Sequence, residues 1–453
     1  MARARTVYRC AQCGAEAAKW AGRCAACGEW NTLVEEVVAA AARGTRPRRN
    51  GARAVPLGAV ERSAMTRWNT GIAEFDFVLG GGLVPGSMVL VGGEPGIGKS
   101  TLLLQAASSL VRHGHATLYV SGEESLQQIK LRADRLEHES ADVALLGETS
   151  LEAMLGVAEE ARPDVMVVDS IQTVATDALE GAPGSVGQVR EFAARLMRFA
   201  KGQRITVLVV GHVTKDGGIA GPKTLEHVVD TVLYFEGEGG ADHRVLRATK
   251  NRFGGVDEIG VFRKTERGLE AVESPSALFL GERHARTTGS AVTALIEGTR
   301  PLLVEVQGLV TRAGFGTPQR VSAGFDSRRL ALLLAVMDKR AGLSFAQTDV
   351  FVNVVGGLRL VEPAGDLAVA LALASSHFDR ALPADAVFVG ELGLGGEVRA
   401  VSRLERRLAE AAQLGFTTAY VAEVSAKAAS SRSIRVVGVP DIAALFQRVF
   451  RPS

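Results

Sequence analysis

The stretch GEPGIGKST, residues 93–101, decides the fold. It sets Gly93, Gly98, Lys99 and Ser100 at the spacing Gly-x4-Gly-Lys-Ser, after the apolar run SMVLVG and ahead of LLLQAASSLVRHG, which has helical character. Strand, glycine loop and helix is the context in which backbone N–H groups cradle phosphates, the lysine reaches the β/γ oxygens and the serine hydroxyl ligates Mg²⁺. The expected cradle for a nucleoside triphosphate is therefore Gly93, Glu94, Pro95, Gly96, Ile97, Gly98, Lys99, Ser100 and Thr101, with Thr101 a helix residue near the phosphates.

Three more apolar runs deliver polar groups to their C-terminal tips. VMVVDS ends in Asp169, the expected magnesium-side acid beside Ser100. ATLYVSGEES ends in Glu123 and Glu124, one of which orients or deprotonates the attacking water while the other is a solvated neighbour. ITVLVVGHVTK brings His212 and Thr214 to where a γ-phosphate is felt; the competing use of His212 is a hydrogen-bonded histidine of the sheet edge. Strands alternating with helices and carrying ligand groups at successive tips define a doubly wound α/β sheet. Two irregular Gly-rich loops leave that edge, TDALEGAPGSVGQVR and KDGGIAGPK, and loops of this kind contact a substrate or a neighbour.

Further on, RATKNRFGGVDEIG reads as two strands joined by a turn that carries Lys250 and Arg252. Asn and Gly alone would serve a hairpin, so the two cations imply an anionic partner: charge developing on a phosphate across a subunit boundary, or a nucleic-acid backbone. A plain surface turn is the third reading.

All four cysteines fall in one window, as CAQC (Cys10, Cys13) and CAAC (Cys24, Cys27), each pair followed by glycine. Two Cys-x2-Cys turns offer four thiolates to one Zn²⁺ and leave no open position, so the metal is structural. Disulfides compete, but the N-terminus MARARTVYRC lacks the apolar centre of a signal peptide, and the chain is expected to be cytoplasmic, where thiols stay reduced. Trp20 and Trp30 are expected to cover the site, the alternative being a base-stacking surface.

At 453 residues, 47% apolar and 23% charged, the composition is that of a soluble globular chain of about three domains, with no run near the roughly 18 apolar residues of a membrane span. Net charge is only +2, but residues 1–55 hold ten Lys/Arg against four acids, and ARGTRPRRNGARAV carries five Arg and no acid. That segment reads as a basic linker, either solvating or in contact with a polyanion.

Taken in order, the four-cysteine ribbon, GEPGIGKST, YVSGEES, VVDSIQT, GHVTKDGGIAGPKTLEHVVD and KNRFG closely resemble the RadA (Sms) family of bacterial DNA-repair proteins over nearly the whole chain. The resemblance implies a RecA-like ATPase that uses ATP and Mg²⁺, forms hexameric rings, binds single-stranded and branched DNA, and drives branch migration alongside the RecA recombinase. It implies Glu123 as the water-activating residue, His212 as the γ-phosphate sensor, and the two loops as DNA-binding loops lining a channel. The last third, roughly 276–453, resembles the proteolytic domain of Lon. Ala364 stands where its serine should be and Glu405 where its lysine should be; neither can do that chemistry, and Ser375 and Ser376 are about three helical turns away. A scaffold with no peptidase activity is expected. The spacing of Arg399, Arg403, Arg406 and Arg407 suits one face of a helix starting near Ser402, solvated or DNA-facing. The expected organisation is a zinc ribbon over 1–35, a basic linker over 36–55, a RecA-like P-loop ATPase domain over 56–272, and an α+β Lon-protease-like domain over 273–453.

Overall fold

The computed structural model describes residues 5–38, 56, 66–136, 142–212, 225–237, 243–281, 283–284, 287–314, 317–428 and 433–450. Most of the basic linker, Thr214 and the loop KDGGIAGPK lie outside the described residues. The chain divides into two compact units, Met1–Ala271 and Val272–Ser453.

The first unit opens with three antiparallel strands, β1 (Arg5–Cys10), β2 (Glu16–Ala17) and β3 (Leu33–Val38), in the order β2-β1-β3. The expected ribbon boundary at residue 35 falls inside β3. Then come α1 (Ala73–Leu79), β4 (Met88–Gly93), α2 (Lys99–Arg112), β5 (Thr117–Ser121), α3 (Leu126–Arg135), β6 (Ala144–Gly147) and α4 (Leu151–Ala161). The unit ends with β7 (Val165–Asp169), α5 (Val186–Gln203), β8 (Thr206–His212), β9 (Thr231–Glu236), β10 (His243–Asn251), β11 (Ile259–Thr265) and β12 (Gly268–Ala271). One nine-stranded sheet collects them in the order β12-β11-β10-β9-β4-β8-β7-β5-β6, parallel from β9 to β6 and antiparallel from β9 to β12.

Near-continuous apolar runs suit a parallel sheet covered on both faces. Alternation along each strand then sorts the side chains into two layers. Val89, Val91, Val165, Val167, Leu208 and Val210 pack with the buried faces of α1 and α2. Met88, Leu90, Met166, Val168, Val207 and Val209 pack with α4 and α5. β4 lies between β8 and β9, so the glycine loop leaves the middle of the sheet with strand tips on either side. Of the first irregular loop, residues 186–190 are not loop at all: they open α5, where Val189 is buried and Gln188 turns back to bind Thr176, Leu179 and Gly181.

The second unit contains α6 (Pro275–Leu280), β13 (Ser290–Glu297), β14 (Arg300–Arg312), β15 (Arg320–Ala323), α7 (Ser327–Ala341), β16 (Thr348–Val354) and α8 (Asp366–Phe378). β17 (Ala386–Phe388), β18 (Glu391–Leu392), β19 (Val398–Arg399), α9 (Leu404–Gln413), β20 (Thr418–Ala422), α10 (Glu423–Ala428), β21 (Arg435–Val439) and α11 (Ile442–Phe450) complete it. A four-stranded sheet, β13-β14-β16-β15, and a parallel three-stranded sheet, β17-β20-β21, are its framework. α8 lies against β14 where a Cβ on Gly308 would come within 2.9 Å of the helix backbone at Ala372 and Leu373.

The arginines read as one helix face do not share an environment. Arg407 is fully buried: its guanidinium clamps Glu362 in a two-pronged ion pair (2.6 and 2.7 Å) and donates to the carbonyl of Ala294. Arg403 and Arg406 bind the carbonyls of Gly298 and Thr299, and Arg399 pairs with Glu397. Removing Glu362 leaves the fully buried Arg407 charge without its ionic partner, which is costly, whereas joint replacement by apolar groups can be neutral. Glu362→Ala is expected to destabilise the chain by about 3–5 kcal/mol, and Glu362→Leu with Arg407→Met to recover most of that loss. Denaturant unfolding of the full chain, followed through its C-terminal transition, checks both.

Candidate functional site

At the tip of β4 the backbone takes conformations reserved for glycine, with φ +151° at Gly93 and +121° at Gly98. α2 then starts at Lys99 with no side-chain cap, so its first N–H groups face outward at the positive end of the helix. Lys99 itself is buried and donates to the carbonyls of Gly93 and Glu94, both at 2.9 Å. Burial lowers its amine to about 8, against the opposing pull of Asp169 and Glu123. This is a cation held at the mouth of an anion-binding loop, near two carboxylates.

Parallel register brings the remaining groups alongside. His212 pairs with Gly93 across β8 and β4, and Asp169 with Ser121 across β7 and β5. Glu123 follows β5 and accepts a hydrogen bond from Ser170 Oγ; its Oε1 also lies 3.3 Å from His212 Nε2. Glu124 turns the other way into an ion pair with Arg132 of α3. A capping box between Ser125 and Gln128 starts α3 directly after the two glutamates, separating their directions. Asp169 is buried and accepts a hydrogen bond from the phenol of Tyr119 at 2.6 Å, and the peptide bond that follows it is cis. Gln172 reaches the His212 carbonyl at 3.2 Å. Beside Gly98 and Thr101 a cavity of about 240 Å³ is lined by Arg132, Arg135, Lys264 and Gly268.

Lys250 and Arg252 are not both on a turn. β10 runs through Asn251, with a bulge between Ala248 and Lys250, so Lys250 is a strand residue paired with Val232. Its amine is turned to the carbonyls of Glu226 and Val229, and burial and the Arg252 charge both lower its pKa. Arg252 opens the connection to β11; it is 52% exposed and lies 3.3 Å from the buried carboxylate of Asp230. Asn251 closes the local turn by accepting from Phe253 N and donating to the end of α1 at Leu79.

In the ribbon, Gly14 N and Gly28 N bond back to Cys10 O and Cys24 O, forming two matching knuckles with positive φ at each glycine. The four sulfurs lie within 4.8 Å of one another, and Cys10–Cys27 and Cys13–Cys24 are each 3.6 Å apart. A tetrahedral Zn²⁺ with bonds of about 2.3 Å sets its sulfurs about 3.8 Å apart, so the donor set fits the ion; a disulfide would need about 2.05 Å. The expected apolar cover is misassigned. Trp20 is 57% and Trp30 68% exposed, both indoles approaching Gly22, and the small cluster around the cysteines is built from Tyr8, Ala15, Ala17 and Leu33. The guanidinium of Arg23 sits over the Trp30 ring at 5.8 Å.

Three family models match the chain: one described as an AAA domain over residues 60–218, one as a rubredoxin metal binding domain over 8–35, and one as the subunit ChlI of Mg-chelatase over 326–425. The chain is 49% identical to the DNA repair protein RadA of Brucella abortus, covering 99% of this chain and 98% of that one. It is 48% identical to the RadA of Bacillus subtilis, over 98% of each, and 50% identical to that of Pseudomonas aeruginosa, over 97% of each. This chain belongs to the RadA family of DNA repair proteins. Its cofactors are ATP, Mg²⁺ and Zn²⁺. Among the described residues no helix is long and apolar enough to cross a membrane.

Tyr119, Ser170 and Arg132 were not singled out in the sequence, although each contacts a residue that was. Tyr119 and Asp169 are far apart in the chain, and only strand pairing brings them together. For the zinc centre, full-length protein is expected to carry one Zn²⁺ per chain by elemental analysis. Cys24→Ser is expected to lose it, because three thiolates give up both charge and closure.

Proposed function

We propose that this chain is a DNA-dependent ATPase of recombinational repair that works as a hexameric ring, driving branch migration on single-stranded and branched DNA together with the RecA recombinase. The observation that carries the motor reading is the convergence of Lys99, Glu123, Asp169 and His212 on one strand edge around an uncapped helix start.

In this reading Lys99 leaves its loop carbonyls for the β/γ oxygens, whose charge stabilises its protonated form. Ser100 and Asp169 hold the magnesium ion, which when bound neutralises charge on those oxygens. Glu123, free of the ion pair that occupies Glu124, orients the attacking water and accepts its proton. His212 touches Glu123 and reports the state of the γ-phosphate to the β8 tip.

Lys250 and Arg252 make their contacts on residues 226–230 and not on the glycine loop, which supports a use outside their own nucleotide site. We assign them to the ATP of the neighbouring subunit, where such a cation is worth about 10³–10⁵ in rate. DNA is bound by the loop between Asp169 and α5 and by the exposed Trp20, with Trp30 alongside under the guanidinium of Arg23. The C-terminal unit is a scaffold without peptidase activity. Ala364 is packed in the core with Leu408 and Ala411, while Glu405 faces solvent. Ser375 and Ser376 spend their hydroxyls on Gly289 N and Val310 N.

Mixing subunits tests the central claim. Lys99→Ala and Arg252→Ala proteins are each expected to be nearly inactive ATPases, and co-assembled rings to regain activity well above the sum of the two. Mixed rings without recovery, together with a salt-dependent loss of DNA affinity in Arg252→Ala alone, would transfer the cations to DNA. Glu123→Gln is expected to bind ATP and lose turnover, measured as nucleotide retention against phosphate release; full turnover would remove Glu123 from the base role.

A further inference from the structure

We propose that Tyr119 and Ser170 are positioning residues that cross-connect the two carboxylates of the ATPase, Tyr119 of β5 holding Asp169 of β7 and Ser170 after β7 holding Glu123 after β5. The inference rests on the roles assigned above to Asp169 and Glu123.

Its geometry is reciprocal. Strands β5 and β7 are parallel neighbours, with Tyr119 beside Val167 and Ser121 beside Asp169. The phenol therefore reaches two residues toward the strand tip on the same face of the sheet and meets Asp169 Oδ2 at 2.6 Å. From the other strand, Ser170 Oγ reaches back to Glu123 Oε1. Tyr119 and Ser170 have no solvent exposure and Asp169 has 5%, so neither donor has water as a substitute partner.

Each contact fixes a different freedom. A hydrogen bond from Tyr119 to Oδ2 sets the rotation of the Asp169 carboxylate about Cβ–Cγ and thereby where Oδ1 points. On Glu123, Ser170 and His212 both lie against Oε1, which leaves Oε2 to meet a water. A motor that opens and closes its site needs metal-side and water-side acids to arrive together, and two crossed bonds between adjacent strand tips provide that.

Tyr119→Phe and Ser170→Ala, each removing one oxygen, separate the two contacts. Tyr119→Phe is expected to raise the Mg²⁺ concentration for half-maximal ATPase about ten-fold, more than it lowers kcat. Mn²⁺ titration by electron paramagnetic resonance with a non-hydrolysable ATP analogue is expected to show the same weakening without turnover. Ser170→Ala is expected to lower kcat about ten-fold while leaving KM for ATP and that Mn²⁺ titration where they were. Asp169→Asn and Glu123→Gln are the reference variants: if they retain wild-type turnover, the proposed motor fails and not the crossed contacts alone. If the reference variants are dead while Tyr119→Phe binds Mn²⁺ as wild type does, or while Ser170→Ala keeps the wild-type kcat, the positioning roles are wrong. Equal loss of kcat in both, with metal affinity unmoved, would assign the two residues to stability only. Should Tyr119→Phe not fold by circular dichroism, Ser170→Ala still decides its half.

Discussion

Everything at the strand edge depends on one constraint: the first N–H groups of α2 must stay unsatisfied by the protein until a polyphosphate arrives. A free helix start is unfavourable for an isolated helix, so the stabilisation has to come from elsewhere. It comes from the body of α2, where Leu102, Leu103, Leu104, Ala106, Ala107 and Leu110 are all buried against the sheet. Gly98 completes the device, because a side chain there would require φ +121° and would press a Cβ to 3.0 Å from Leu269. Lys99 is then trapped with its amine on the loop's own carbonyls, a resting arrangement that phosphate oxygens can displace.

Much of this was legible in the sequence because it is local. Strand, loop and helix around residue 93, the Asp169 and His212 strand tips, and the two cysteine knuckles are all set by neighbours within a few residues. What escaped is what only tertiary pairing creates. The choice between Glu123 and Glu124 depends on Arg132, about two turns of helix further on, and on Ser170 from another strand. The KNRFG segment reads as a turn because it lies between two alternating runs and leads into glycines; a bulge at residue 249 keeps Lys250 in the strand and aims its amine at carbonyls of the 226–229 turn. Trp20 and Trp30 flank the cysteines in the chain, but four thiolates around a metal leave little apolar surface for them to cover.

That last point sets the ribbon apart from the sheet. Among the described residues its buried apolar side chains are Val7, Cys10, Cys24 and Leu33, with Tyr8, Cys13, Ala15 and Ala17 packed at the edge. Hydrophobic burial on this scale cannot offset the chain entropy of some thirty residues, at about 1–2 kcal/mol each for the backbone alone. The metal bonds must supply the difference, and the aromatic side chains are thereby released from structural duty.

The C-terminal unit shows the opposite economy. The segment around Ala364 and the start of α9 are joined from flanking positions, Glu362 to Arg407. A buried carboxylate, Asp366 at the start of α8, is clamped by Arg329 of α7 and by Leu392 N. Burial raises the Asp366 pKa, and these donors oppose that rise. Neither pair is an efficient source of net stability, since desolvating two ions costs nearly what their attraction returns. Their value lies in direction: a guanidinium fork accepts a carboxylate in one geometry only, so each pair fixes the register of a helix against its neighbour. Each arginine fork therefore holds its helix in place against the neighbouring segment, α9 through Glu362 and α7 through Asp366.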